Sequence, residues 1–305
     1  MSGMKIIDGH VHLVQYIAGT GAGGELRYAG NGMAEYASGE RFRMLPEEFS
    51  QGVVTAEDIL KKMDENGVEK AVLLQGNYFG FQNLYSLEAA KKYPLCFRAA
   101  ASYDPFSRSR DRIRRHLFEE LGIRIVKFEV STGSGLMSNH FTLPLDGEIM
   151  RAEYDYADEH NLVFVIDIGK YGSESWQTEQ LRHAILAHPR MKFVICHLLA
   201  VSMKDENQLV DGLKRLALPN VWFDLAALPH NCGPESYPFS GAQRYLRHGI
   251  EIAGADRLLF GSDIPSTLKE NSYGDLIGYI AESDAFTQYE KEQIMYRNAE
   301  QVYFQ

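Results

Sequence analysis

A chain of 305 residues, 45% hydrophobic and 24% charged, has the make-up of a soluble globular protein and room for one large α/β domain or two smaller ones. Its net charge of -10, with both signs interspersed and no Lys/Arg tract, argues against nucleic acid or an anionic membrane as the main partner. No run approaches the roughly 20 apolar residues of a membrane helix, and three widely spaced cysteines, Cys96, Cys196 and Cys232, read as reduced thiols of a cytoplasmic protein.

In chain order, no signal-peptide pattern precedes "KIIDGHVHLV" (5–14). This apolar run reads as a buried strand, yet Asp8, His10 and His12 alternate within it, which period-two geometry places on one face. Residues 14–54 follow, rich in glycine and without periodicity. A structureless connection this long is either a lid or binding loop, from which Tyr28, Tyr36, Arg41 and Arg43 are available to touch a substrate, or a floppy glycine-rich surface loop. Within it, "GTGAGG" (19–24) matches the dinucleotide-binding glycine pattern, but no strand ends at its first glycine and no helix starts across it, so that function is rejected. "TAEDILKKMDENG" (55–67) predicts a helix: Thr55 is the N-cap, a carboxylate follows three residues on, and Gly67 is the stop.

Beyond it the apolar runs "EKAVLLQ" (69–75), "CFRAAAS" (96–102), "IRIVKFEV" (123–130), "LVFVIDI" (162–168), "MKFVICH" (191–197), "NVWFDLA" (220–226) and "RLLFGSD" (257–263) alternate with amphipathic stretches. With the opening strand they make eight. No linker or repeat interrupts them, so the chain is predicted to be a single (β/α)8 TIM barrel over 1–305, with an open doubly wound sheet as the alternative. After the second strand, "GNYFGFQN" (76–83) offers Tyr78, Phe79 and Gln82 to line a pocket.

Ionisable residues recur at the strand ends. Val126, Phe128 and Val130 share one face while Lys127 and Glu129 share the other; Asp167 opposes Phe164, Ile166 and Ile168; His197 follows Phe193 and Ile195; Asp263 follows Leu259 and Gly261. A barrel strand buries one face against helices and the other in the interior, so strands 1, 4, 5, 6 and 8 bring their polar tips to one spot. Burying so many ionisable groups is very unfavourable unless they pair or bind an ion. A divalent metal, with His10 and His12 as adjacent ligands at the barrel mouth, resolves the conflict. Each residue has a bland reading alone: Asp263 starting a turn, Asp167 pairing with Lys170 or Lys127, His197 bonded to a carbonyl. Those readings would have to hold together at the same end of several strands. His116, His160, His183 and His188 lie in helical segments and are expected at the surface, whereas His230 follows strand 7 within reach of the site.

The motifs "DGHVH", "MDENGVEKAVLLQ", "YPLCFRAAASYDP", "HPRMKFVICHL" and "GADRLLFGSDIP" together resemble the amidohydrolase superfamily. They are most similar to its second branch of metal-dependent barrel hydrolases and decarboxylases, the group containing aminocarboxymuconate semialdehyde decarboxylase. The resemblance runs from Asp8 to the terminal "NAEQVYF". It implies that His10 and His12 bind one divalent ion, that Asp263 binds it or orients water, and that His197 is the general base or electrophile. Where the family usually ends strand 5 with histidine, this chain has Asp167, a harder ligand that shifts the expected ion from zinc toward zinc or manganese. Glu129 is a candidate additional ligand. Lys127 is a candidate substrate contact or, alternatively, a carboxylated bridge to a second metal. The implied chemistry is attack of a metal-activated water on an amide, ester or lactone bond of a small polar substrate, with Asp263 moving the proton and His197 holding the oxyanion. Alternatives are decarboxylation or hydration of a small unsaturated or aromatic acid at the same site, and a non-catalytic, metal-stabilised binding barrel. A homo-oligomer is the default expectation for an enzyme of this size.

Overall fold

Side-chain alternation decides which way each strand faces. In β4 (Ile125–Glu129), Val126 and Phe128 pack outward in the helix-facing core, while Ile125 packs inward with Val163 and Val165 of the neighbouring strand. The same division recurs in β1 (Ile7–Val11), β2 (Lys70–Leu73), β3 (Phe97–Ala101), β5 (Val163–Asp167), β6 (Lys192–Ile195), β7 (Val221–Asp224) and β8 (Leu258–Leu259). In this computed structural model, which describes residues 3–305, the eight strands are parallel and pair in sequence order. The sheet closes where Gly9 N donates to Phe260 O and Asp263 N donates to His10 O, both at 2.9 Å. The architecture is the predicted (β/α)8 TIM barrel.

Local sequence signals act as read. Helix α1 (Ala56–Asn66) starts at a reciprocal capping box between Thr55 and Asp58 and ends at Gly67, whose φ of 69° is left-handed. At the chain's other end, the helical stretch 288–304 lays Ala299, Val302 and Tyr303 under the barrel, against Ile7, Ile125 and Val163. That apolar cluster seals the N-terminal end of the cylinder. Among the described residues no helix is long and apolar enough to cross a membrane. The three cysteines are unpaired.

Three features depart from expectation. In β1, Asp8 pairs with Ala71 and Val11 with Leu73, so three steps oppose two: a bulge. The extra residue reverses the alternation, and Asp8 does not share a face with His10. Its carboxylate instead accepts from Tyr273 Oη at 2.8 Å, on the helix that follows β8, and from Ser262 N and His10 N at 3.0 Å. Residues 14–54 are not structureless: Thr20–Gly21, Gly24–Tyr28, Met33–Tyr36 and Arg41–Arg43 form a four-stranded antiparallel meander, and "GTGAGG" is its first hairpin. Thr20 N donates to Asn77 O and Ala22 N to Gly133 O, both at 3.0 Å, which fastens the meander to the loops after β2 and β4. Gly19 is needed there, because a Cβ would lie 2.0 Å from Tyr78 O. Finally, His188 is 5% exposed rather than at the surface, bonded to Ala184 O and Asp155.

Candidate active site

The polar tips of the strands meet at the C-terminal mouth. His10, fully buried on β1, has its Nδ1 3.0 Å from Asp224 Oδ2 on β7. His12 Nδ1 lies 3.1 Å from Leu74 O. A carboxylate and a carbonyl both accept, so each Nδ1 carries the proton and each Nε2 presents a lone pair to the cavity. Asp263 Oδ1 is 3.0 Å from His12 Nε2 and 3.8 Å from His10 Nε2. Asp263 reaches this position through a left-handed backbone, φ 64°. Gly261 leaves the room for it: a Cβ there would sit 2.9 Å from His10 Cβ.

These three residues fit a divalent cation. Their ligand atoms lie within 4.8 Å of one another, and His10 Nε2 is buried with no hydrogen-bond partner. Burial, against the pull of Asp224, lowers the His10 pKa to about 4, which leaves a neutral imidazole with a free lone pair. Burial opposes ionisation of Asp263 too, but His12, His10 and His197 outweigh it and hold the carboxyl well below its ordinary value.

His197 arrives by a route that alternation does not describe. Parity would send it outward with Phe193 and Ile195. The chain leaves β6 at Cys196, and His197, Leu198, Leu199 and Ala200 all take left-handed φ values, 61°, 46°, 69° and 49°. Such residues are disfavoured by roughly 1–2 kcal/mol each, and hydrogen bonds offset part of this. His197 N donates to Asp224 Oδ1 at 2.8 Å, and its Nδ1 lies 2.9 Å from Ala226 O. The other ring nitrogen, Nε2, is then 3.5 Å from Asp167 Oδ2. Burial works against the charged imidazole, but Asp167, with Asp224 and Asp263 beyond it, raises the pKa to about 10. Reciprocally, His197 and Lys127 overcome burial and lower Asp167.

Asp167 and Glu129 therefore do not join the converging trio. Asp167 is engaged with His197 and accepts from Gly169 N at 2.8 Å; Glu129 accepts from Ser131 Oγ at 3.3 Å and from Ser134 Oγ. Lys127, 3% exposed, faces the same cavity as His10, His12 and Asp263. Burial would discharge it, but Cys196 and the carboxylates of Glu129, Asp167 and Asp263 raise its pKa instead. Tyr78 lines the wall beside Phe79, whose ring is 5.4 Å from that of His12.

The other expected contact residues make bonds within the loops. Gln82 spends its amide on Tyr16 O and Phe79 O, at 3.0 and 3.1 Å. Arg41 is exposed, bonded to Ala29 O and Glu35 at 3.1 Å, and Arg43 is bonded to Asn31 O at 3.2 Å, so both brace the meander. Tyr28 donates to Ser50 O, and Tyr36 packs on Phe42. His230 stands at the rim, paired with Glu270. The residue that alternation could have found, and did not, is Asp224. It ends the inward face begun by Trp222 in "NVWFDLA", as Asp167 ends that of β5, and it is fully buried between the two key imidazoles. His10 and His197, partly by way of a hydrogen bond, keep it ionised against burial. Outward from the trio the cleft widens into a cavity of about 360 Å³ between Ser131–Ser134, Lys170 and Asn231.

Several solved structures share this fold. One described as a "probable" 2-pyrone-4,6-dicarboxylic acid hydrolase from Acinetobacter baumannii, with citric acid bound, superposes with a TM-score of 0.70 at 17% identity, covering 98% of this chain and 99% of that one. An amidohydrolase from Burkholderia multivorans with bound zinc gives 0.72 at 16% identity, with 98% and 99% covered. The 5-carboxyvanillate decarboxylase of Sphingomonas paucimobilis gives 0.59 at 13% identity, with 85% and 86% covered. At such identities the likeness is one of fold. No curated protein matches the sequence significantly. The family model for the amidohydrolases of the Amidohydro_2 group matches residues 7–305, nearly the whole chain, and the chain belongs to that family.

Proposed function

We propose that the protein is a metal-dependent hydrolase of an amide, ester or lactone bond in a small polar substrate. One observation carries this reading: Nε2 of His10, Nε2 of His12 and Oδ1 of Asp263 converge, with both Nδ1 atoms tied off behind them. His10, His12 and Asp263 would hold one divalent ion, zinc or manganese. When bound, such an ion supplies polarisation of a carbonyl and a water made acidic enough to lose its proton near neutral pH.

The rest is work for the chain's own groups. Asp263, held ionised, has Oδ2 free to take a proton from the attacking water and return it to the leaving group. His197 is kept charged by Asp167 and held by Ala226 O and Asp224, so its imidazolium sets a positive charge beside oxygen charge developing in the cleft. Its high pKa suits this electrostatic role and not that of a general base. Phe79 and Tyr78 wall off His12 from bulk water, and the departing fragment leaves through the outer cavity.

The test is a panel of small lactones, esters and amides assayed before and after chelation, with zinc or manganese added back and metal content measured. Turnover should vanish on chelation and return with the ion; undiminished turnover in chelated, metal-free protein would overturn the reading. A second reading, loss of carbon dioxide from a small acid, draws on two cations in one cavity, Lys127 and His197, and on the likeness in fold to a decarboxylase. Carbon dioxide release from aromatic or muconate-type acids, without hydrolysis of any panel member, would favour it.

A further inference from the structure

The buried acidic and basic side chains outside and around the site have their partners, with one exception. Asp8 accepts three hydrogen bonds, Asp224 accepts from His10, His197 and Ala226, and Glu129 accepts from two serines. Even Glu153, far from the cleft, has Tyr103 Oη with Arg110 and Arg114 nearby. Among the buried acidic and basic side chains of the described residues, Lys127 alone, buried to 97%, has no hydrogen-bond acceptor and no carboxylate within 4.0 Å of its ammonium. Its ammonium has no partner within the chain and opens onto the cavity that holds His10, His12 and Asp263, where a bound anion would supply the acceptor.

We propose that Lys127 is the receptor for a carboxylate of the substrate, and that the protein acts on small monoanionic acids whose carboxylate enters first, next to the reacting bond. The inference rests on the reading of this cavity as the substrate site. Gly76 supports it. A Cβ there would lie 3.8 Å from Lys127 Nζ and 2.7 Å from Glu129 Oε2, so the missing side chain keeps the space beside the ammonium open. The size and charge of the anion follow from the walls. The inner cavity holds only about 190 Å³, and Glu129, Asp167 and Asp263 also line it. Two cations, Lys127 and His197, among three carboxyl groups suit a single negative charge and disfavour a phosphate dianion.

The test is equilibrium binding to the metal-loaded protein, with the monoanions benzoate and crotonate as probes and benzamide as the neutral counterpart of benzoate. Lys127→Met should weaken benzoate by about 10- to 100-fold, the loss expected for one charge-assisted hydrogen bond. Benzamide binding should stay unchanged, and Lys127→Arg should recover part of the loss. Metal content and melting temperature, measured on each variant, show that the fold and the ion are retained; Lys127→Gln replaces the methionine variant if that one does not fold. Equal benzoate binding by wild type and variant would overturn the proposal, as would no binding of either acid to wild type. So would a carbamate carbon signal from labelled bicarbonate, present in wild type and absent in Lys127→Met, since Lys127 would then be carboxylated. Turnover is not read, so failure of the hydrolase reading would leave this result intact.

Discussion

At its N-terminal end the barrel is filled by Ile7, Ile125, Val163 and Val194 and sealed by Val302 and Tyr303; at its C-terminal end the same strands present His10, Lys127, Glu129, Asp167 and Asp224. A single step of two residues along β4, from Ile125 to Lys127, crosses from one chemistry to the other. Both ends are buried, so burial alone does not distinguish them. Below, atoms gain by leaving water; above, each ionisable group needs a partner on another strand, and the one that lacks it within the chain faces the cleft. The lower end should therefore govern stability and the upper end chemistry, and several changes separate the two.

Replacing His10 and His12 together by alanine should reduce metal content and turnover to background, as read by element analysis and the assay. Tyr303→Ala should destabilise the fold by about 3–5 kcal/mol with metal binding intact, measured by urea unfolding. Tyr303→Phe sharpens the point: the hydroxyl is buried without a partner, so its removal should be neutral or stabilising by up to about 1 kcal/mol. Asp224→Asn should weaken metal affinity by about 10- to 100-fold, because the amide no longer fixes the His10 tautomer; titration against a chelator measures this.

Asp167→Asn should change the pH dependence of stability. The folded pKa of His197, about 10, lies above its ordinary 6.5. Its stabilisation is thus fully present below pH 6.5 and is lost as pH rises through about 10. Without the Asp167 anion that alkaline loss should flatten, in urea titrations of the metal-free protein across this range. The smallest effect is expected at Arg41→Ala, whose exposed pairing within the meander should be worth less than about 1 kcal/mol and whose removal should leave KM unchanged.

Hydrophobic alternation made the barrel legible, since strands buried on both faces read as apolar runs whatever their partners are. The caps of α1 were legible for the same reason: Thr55, Asp58 and Gly67 act within one turn of chain. His10, His12 and Asp263 could be read as one group because each ends a strand, and the fold brings strand ends together. What escaped depends on backbone irregularity or on distant neighbours. The β1 bulge reverses Asp8, with Gly9 inside it as the one local signal, and the left-handed turn redirects His197 with no glycine to mark it. The meander escaped because its strands span only two to five residues and bury little besides Leu26 and Ala34. Gln82, Arg41 and Arg43 are readable as contact residues from type and position alone, whereas the main-chain carbonyls and the carboxylate they bond are supplied only by the folded loops.

Asp224 anchors two imidazoles at once, His10 through one oxygen and the His197 backbone through the other. Whatever draws electron density from His10 tightens its grip on that carboxylate and slackens the hold on His197. Thermodynamic reciprocity then requires the reverse: a ligand gripped at His197 must alter affinity at His10 by the same factor. Cation and organic ligand should consequently bind non-independently, each registering the other through a single buried side chain that touches neither.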